Sequence, residues 1–129
     1  MFDHVKIGVS DFAKSKAFYL AALGPLGVEI IGEGVPSYGV EMCKPGEEVS
    51  FILFQTDEKP AHLHLAFVAT TREQVDAFYQ AAIAAGGKDH GPPGIRLQYN
   101  ADYYAAFVID PDGHNIEAVC HARLSEPGH

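Results

Sequence analysis

The feature that most constrains this chain is an internal repeat with a spacing of 60 residues. Ala17-Phe18-Tyr19 returns as Ala77-Phe78-Tyr79, and at the same spacing His4 falls on His64, Ala21-Ala22 on Ala81-Ala82 and Gly27 on Gly87. Self-similarity at a fixed period means that one supersecondary unit is used twice. The chain divides into module one, 1–57, and module two, 61–121, joined by the polar segment 56–60 and followed by a tail, 122–129. At 129 residues with 47% hydrophobic content, the two modules are expected to share one core. Residues 1–129 therefore read as a single domain.

Each module opens on a strand. In 4–9, Val5, Ile7 and Val9 alternate with His4 and Lys6; in 62–67, Leu63, Leu65 and Phe67 alternate with His62 and His64. A helix follows each strand. Phe18, Tyr19, Ala22 and Leu23 form the first apolar stripe, with Ser10 or Asp11 as cap and Pro25 as terminator. Val75, Phe78, Tyr79, Ala82 and Ile83 form the second, opened by a Thr70–Glu73 capping box and stopped at Gly86-Gly87. Three short strands then complete each module, near 28–32, 37–43 and 49–55, and within 88–99, 103–109 and 115–120. Lys44-Pro45-Gly46 and Pro111-Asp112-Gly113 supply matching turns before the last strands. The expected fold is α+β, two repeated βαβββ modules.

This alternation sorts the polar side chains. Strands that pack one face on helices leave the other face free, and His4 and His64 belong to the free face. Ile116 and Ala118 point to the helices, so Glu117 joins the histidines. Setting Gly46 on Gly113 makes Ser50 the internal counterpart of Glu117, so the expected donor set is two histidines and one carboxylate. His4, His64 and Glu117 suit Fe(II) or Mn(II), with positions left for substrate oxygens; Zn or Ni is a less favoured occupant. Arg96, Gln98, Tyr99 and Tyr103 are expected to wall a small polar substrate, with His62 at the rim. The catalytic candidates are Glu117, Lys6, which would steady an anionic substrate beside His4, and Tyr104.

Charge and composition exclude other partners. A net charge of -8 leaves no basic run for nucleic acid or for an anionic membrane. No apolar run approaches the ~20 residues of a membrane span. Met1-Phe2-Asp3-His4 does not open a secretory signal. Cys43 and Cys120 read as small buried hydrophobes, and a cytoplasmic setting is expected.

Phe2-Asp3-His4-Val5, Val9-Ser10-Asp11, Phe18-Tyr19, the His64 strand and Asp110-Pro111-Asp112-Gly113-His114-Asn115-Ile116-Glu117 together resemble the vicinal oxygen chelate superfamily, the glyoxalase/bleomycin resistance/dioxygenase family. The resemblance spans essentially the whole chain. It implies paired modules that form a curved mixed sheet around a metal-bearing cleft, and a small substrate that chelates the metal through neighbouring oxygens. His4, His64 and Glu117 look like the three ligands used by extradiol dioxygenases and fosfomycin-resistance thiol transferases. Ser50 stands where glyoxalase I carries a fourth, carboxylate ligand. The loop 91–96 does not resemble the potassium- and phosphonate-binding loop of the transferases, and Lys6 replaces their expected threonine. The family relation also implies a homodimer in which His4 and His64 serve a site shared between chains. The expected function is a metal-dependent lyase, dioxygenase or thiol transferase. The alternative is a metal-free small-molecule binding protein of the bleomycin-resistance type.

Overall fold

The structure, a computed structural model, describes residues 2–58 and 61–122. Lys59 and Pro60 of the expected linker, and tail residues 123–129, lie outside the described residues. Module one runs β1 (His4–Val9), α1 (Phe12–Leu23), a 3-10 turn (Gly24–Leu26), β2 (Glu29–Glu33), β3 (Val40–Cys43) and β4 (Ser50–Gln55). Module two runs β5 (His64–Val68), α2 (Arg72–Ala84), β6 (Lys88–Ile95), β7 (Tyr104–Ile109) and β8 (Asn115–Cys120).

Local chemistry sets where the helices begin. Of the two caps expected for α1, Asp11 is the one used: its backbone is extended and its carboxylate accepts from Lys14 N at 3.1 Å. The capping box of α2 sits one residue later than Thr70–Glu73. Thr71 Oγ1 accepts from Gln74 N at 3.1 Å, and Gln74 Oε1 reaches back to Thr70 N at 2.8 Å. Glutamine closes the motif as well as glutamate does, and this displaced the start.

The repeat is physical. One sheet has the order β1-β4-β3-β2 and the other β5-β8-β7-β6. In each, the first strand pairs parallel with the last and the remaining pairs are antiparallel. Both helices feed one core. Phe18, Tyr19 and Leu23 of α1 pack in a single cluster with Val75, Phe78 and Ala82 of α2 and with Leu53, Val108 and Ile116 of the sheets. Phe51 meets Phe67 edge-on at 5.3 Å across the two modules. The Tyr19 hydroxyl donates to Asp110, which also accepts from the backbone of Asp112 at 2.9 Å and His114 at 2.8 Å. Burial and that carboxylate raise the Tyr19 hydroxyl far above its usual pKa, so it remains a donor. This network ties the first helix to the turn before β8.

The register corrects one expectation. His4 stands opposite Ser50 and His64 opposite Asn115, while Lys6 faces Ile52 and Ala66 faces Glu117. The counterpart of Glu117 is therefore Ile52, not Ser50. Gly46 and Gly113 do make equivalent left-handed turns, at φ 84° and 92°. Module one, however, carries Glu47, Glu48 and Val49 between that glycine and its strand, where module two has only His114. A slip of two residues preserves the face, because strand side chains alternate. Isoleucine, like serine, offers no carboxylate at that register position.

Cys43 and Cys120 are buried and free, as expected. Among the described residues no helix is long and apolar enough to cross a membrane.

Candidate metal centre

Strand β8 buries Ile116, Ala118 and Cys120 in the core, which turns Glu117 to the opposite face of its sheet. There, His64 Nε2 lies 2.7 Å from Glu117 Oε1. The two side chains differ sharply in exposure, 51% for His64 and 2% for Glu117. A carboxylate this deep needs polar partners to offset its desolvation. The Tyr103 hydroxyl is the second one, donating to Glu117 Oε2 at 2.5 Å. Burial, then the hydrogen bond and charge of Glu117, push the Tyr103 hydroxyl up to about 12, so it stays protonated near neutral pH.

Aromatic rings and one guanidinium surround this pair. Phe107 faces Glu117 in the β7–β8 register, its ring 6.0 Å from that of His64 and 5.2 Å from the Arg96 guanidinium. Tyr99 lies 4.6 Å from Tyr103, and His121 meets Tyr103 edge-on at 5.2 Å. Gln98 is exposed on the same loop. Asn115 Oδ1, of the residue next to His64 in register, is buried without a hydrogen-bond partner among the described residues. The His64 imidazole and the Glu117 carboxylate are two donors of the kind a divalent cation takes, and the unpartnered Asn115 amide oxygen belongs to the residue beside His64 in register. Of these residues Phe107 and His121 escaped the sequence reading. Both lie on the alternation that includes Glu117, and extending it along β8 and across to β7 is the signal that finds them.

His4 is not part of this cluster. It lies on the other sheet, half exposed, with Nδ1 2.6 Å from Asp3 Oδ1. Among the described residues of one chain, no three His, Cys, Asp or Glu side chains stand together as metal ligands. The physical reason is that β1 and β5 are edge strands of separate sheets. Lys6 shares the face of His4 and rests over Phe54 at 4.8 Å. Glu41, across from Ile52, accepts from the Ser50 hydroxyl at 2.5 Å on that same face.

Two assignments are corrected by position. Tyr104 does not join the His64–Glu117 cluster: its hydroxyl donates to Asp76 of α2 at 2.6 Å, and the Arg72 guanidinium stacks on its ring at 5.0 Å. Adjacent strand residues face opposite ways, so Tyr103 and Tyr104 could not both reach Glu117. His62 stands over Gly113 and His114, and lines a separate cleft of about 370 Å³ with Ser10, Thr56 and Asp112. It precedes β5 and so belongs to the turn end of the sheet.

The placement of Tyr104 carries a test. Burial first, and the Asp76 bond second, raise its hydroxyl from 10.0 to about 12. The stability this contributes is whole below the unfolded value and is lost as pH rises through the folded one. Between pH ~10 and ~12, urea unfolding is expected to show stability falling less steeply for Tyr104→Phe than for wild type. Parallel slopes would show that the hydroxyl is not held in the folded state.

The family model described as Glyoxalase/Bleomycin resistance protein/Dioxygenase superfamily matches residues 1–118. A glyoxalase/bleomycin resistance protein from Albidiferax ferrireducens is 38% identical, with 93% of this chain and 98% of that one covered at a TM-score of 0.76. A glyoxalase/bleomycin resistance protein/dioxygenase family enzyme from Burkholderia phytofirmans is 20% identical, covering 93% and 98%, at a TM-score of 0.71. The oxidase ChaP-H2 is 20% identical, covering 97% and 96%, at a TM-score of 0.66. The last two comparisons speak for the fold alone. No curated protein matches the chain.

Proposed function

Because the chain belongs to the Glyoxalase/Bleomycin resistance protein/Dioxygenase superfamily, we propose that it is a metal-dependent enzyme acting on a small oxygen-chelating molecule. In this reading the centre is built from His64 and Glu117 of one chain and His4 of a second. The observation that carries the proposal is the convergence of His64 Nε2 and Glu117 Oε1, at 2.7 Å, on the sheet face opposite the core. The single chain supplies two donors, and what it leaves uncovered supports a second copy. Among the described residues β1 and β5 each have one unpaired edge, and His4 and His64 are both half exposed on those edges. Pairing β1 of one copy with β5 of the other about a twofold axis builds the same centre twice.

The donor set suits Fe(II) or Mn(II) before Zn or Ni. A divalent cation held by His4, His64 and Glu117 would supply Lewis-acid polarisation of substrate oxygens. The chain's own residues do the rest. Glu117 contributes the negative charge that holds the cation. Arg96, over Phe107, offers a fixed positive charge to a substrate oxyanion, and Phe107 with Tyr99 and Tyr103 supplies apolar walls that exclude water. Lys6, on the face of His4, enters the cleft from the second copy as a further cation. The reaction is a lyase, dioxygenase or thiol-transferase step on that substrate.

Purified protein incubated with Fe(II), Mn(II), Co(II), Ni(II) or Zn(II) is expected to retain stoichiometric metal after desalting, and His64→Ala to retain none. Wild type without metal would overturn the reading. The aromatic wall also suits metal-free binding, and retention of an aromatic probe undiminished by a chelator, with no metal uptake, would select that function instead.

A further inference from the structure

We infer that Tyr103 is the positioning residue of this centre: its hydroxyl holds one oxygen of Glu117, so that the carboxylate presents only the other, with His64, to a cation. The inference rests on the metal reading above and adds a role for a residue expected merely to wall the substrate. The geometry divides the carboxylate cleanly. Oε2 accepts from Tyr103 at 2.5 Å, and Oε1 faces His64 Nε2 at 2.7 Å. A carboxylate with both oxygens free can turn toward a metal with one oxygen or with two; a donor fixed on one side removes that choice.

Tyr103 is itself held from three directions. Tyr99 lies against its ring at 4.6 Å and His121 meets its edge at 5.2 Å. Its carbonyl accepts from Arg96 N at 2.8 Å, which closes the base of the loop 96–103. The loop and the end of β8 thus converge on one hydroxyl. Glu117 being 2% exposed means that few other donors can reach Oε2 when this one is removed. Module one has no such arrangement, because Ile52 occupies the equivalent place.

The test compares Tyr103→Phe with Tyr104→Phe, the adjacent tyrosine whose hydroxyl bonds Asp76 on the core side. The probe is Co(II) alone, added to metal-free protein and followed by titration calorimetry and by the visible absorption of the bound ion. Tyr103→Phe is expected to weaken Co(II) binding about 10- to 100-fold and to change the Co(II) spectrum. Tyr104→Phe is expected to leave both unchanged while lowering thermal stability. A purely structural role for Tyr103 would instead lower the melting temperature of the metal-free protein and leave the spectrum of the bound ion as in wild type. If wild type takes up no Co(II), the metal reading fails and this inference with it. If wild type binds and Tyr103→Phe matches it in affinity and spectrum, or if both variants weaken alike, the positioning role alone is overturned.

Discussion

Mixed dimers of His4→Ala and Glu117→Ala chains are expected to regain metal that neither variant binds alone. Each homodimer lacks a ligand in both centres. In a mixed dimer the intact His4 of one chain meets the intact His64 and Glu117 of the other, so one centre is whole and the second lacks two ligands. Random re-association after mild denaturation makes about half the dimers mixed, and the pool should recover about a quarter of the wild-type metal. Neither substitution leaves a buried charge unpaired. His4 is half exposed, and removing Glu117 takes a buried charge away rather than leaving one unpaired. A pool that stays metal-free would rule out the shared centre, while His4→Ala that binds as wild type would remove His4 from the ligand set. Metal content by elemental analysis reads both outcomes.

Phe18→Ala is expected to cost about 3–5 kcal/mol of folding stability. Phe18 has no exposure and meets Tyr19 edge-on at 5.1 Å. A Cβ placed on Gly87 would come within 2.8 Å of its ring, so the module-two backbone closes on it directly. The truncation leaves a cavity where both modules meet, and the residues around it belong to two packed helices that cannot collapse independently. Since a domain of this kind is stable by about 5–15 kcal/mol in all, the variant should unfold at markedly lower denaturant or temperature. A loss below about 1 kcal/mol in urea unfolding would show that Phe18 does not sit in a shared core. Its repeat partner Phe78 is equally buried. The two truncations are expected to be non-additive because α1 and α2 pack in one cluster.

Much of this was legible in the residues themselves. Alternation in β1, β5 and β8 assigned His4, His64 and Glu117 to the free faces, because a strand side chain has only two directions available. The helical stripes of Phe18 and Phe78 predicted the core for a similar reason. What went wrong went wrong by small translations. The α2 cap moved by one residue because Gln74 does the work expected of Glu73. Ser50 was matched to Glu117 because two turns share a glycine while the segments after them differ in length. Tyr104 was grouped with Tyr103, but its hydroxyl bonds Asp76 while that of Tyr103 bonds Glu117, because neighbouring residues of an extended chain face opposite ways.

The sequence by itself determined the twofold modular plan, the faces of the strands and the chemistry on each face. Periodicity is local, so every residue reports its own side without knowing what lies across from it. Only the tertiary structure decided which of those side chains meet. It brought Tyr103 and His64 onto opposite oxygens of Glu117, sent Tyr104 to Asp76, and set His4 on a separate sheet. Those outcomes depend on register and on which edges pair. Register is fixed by loop lengths and by packing between segments far apart in the chain, and neither can be read from one strand alone.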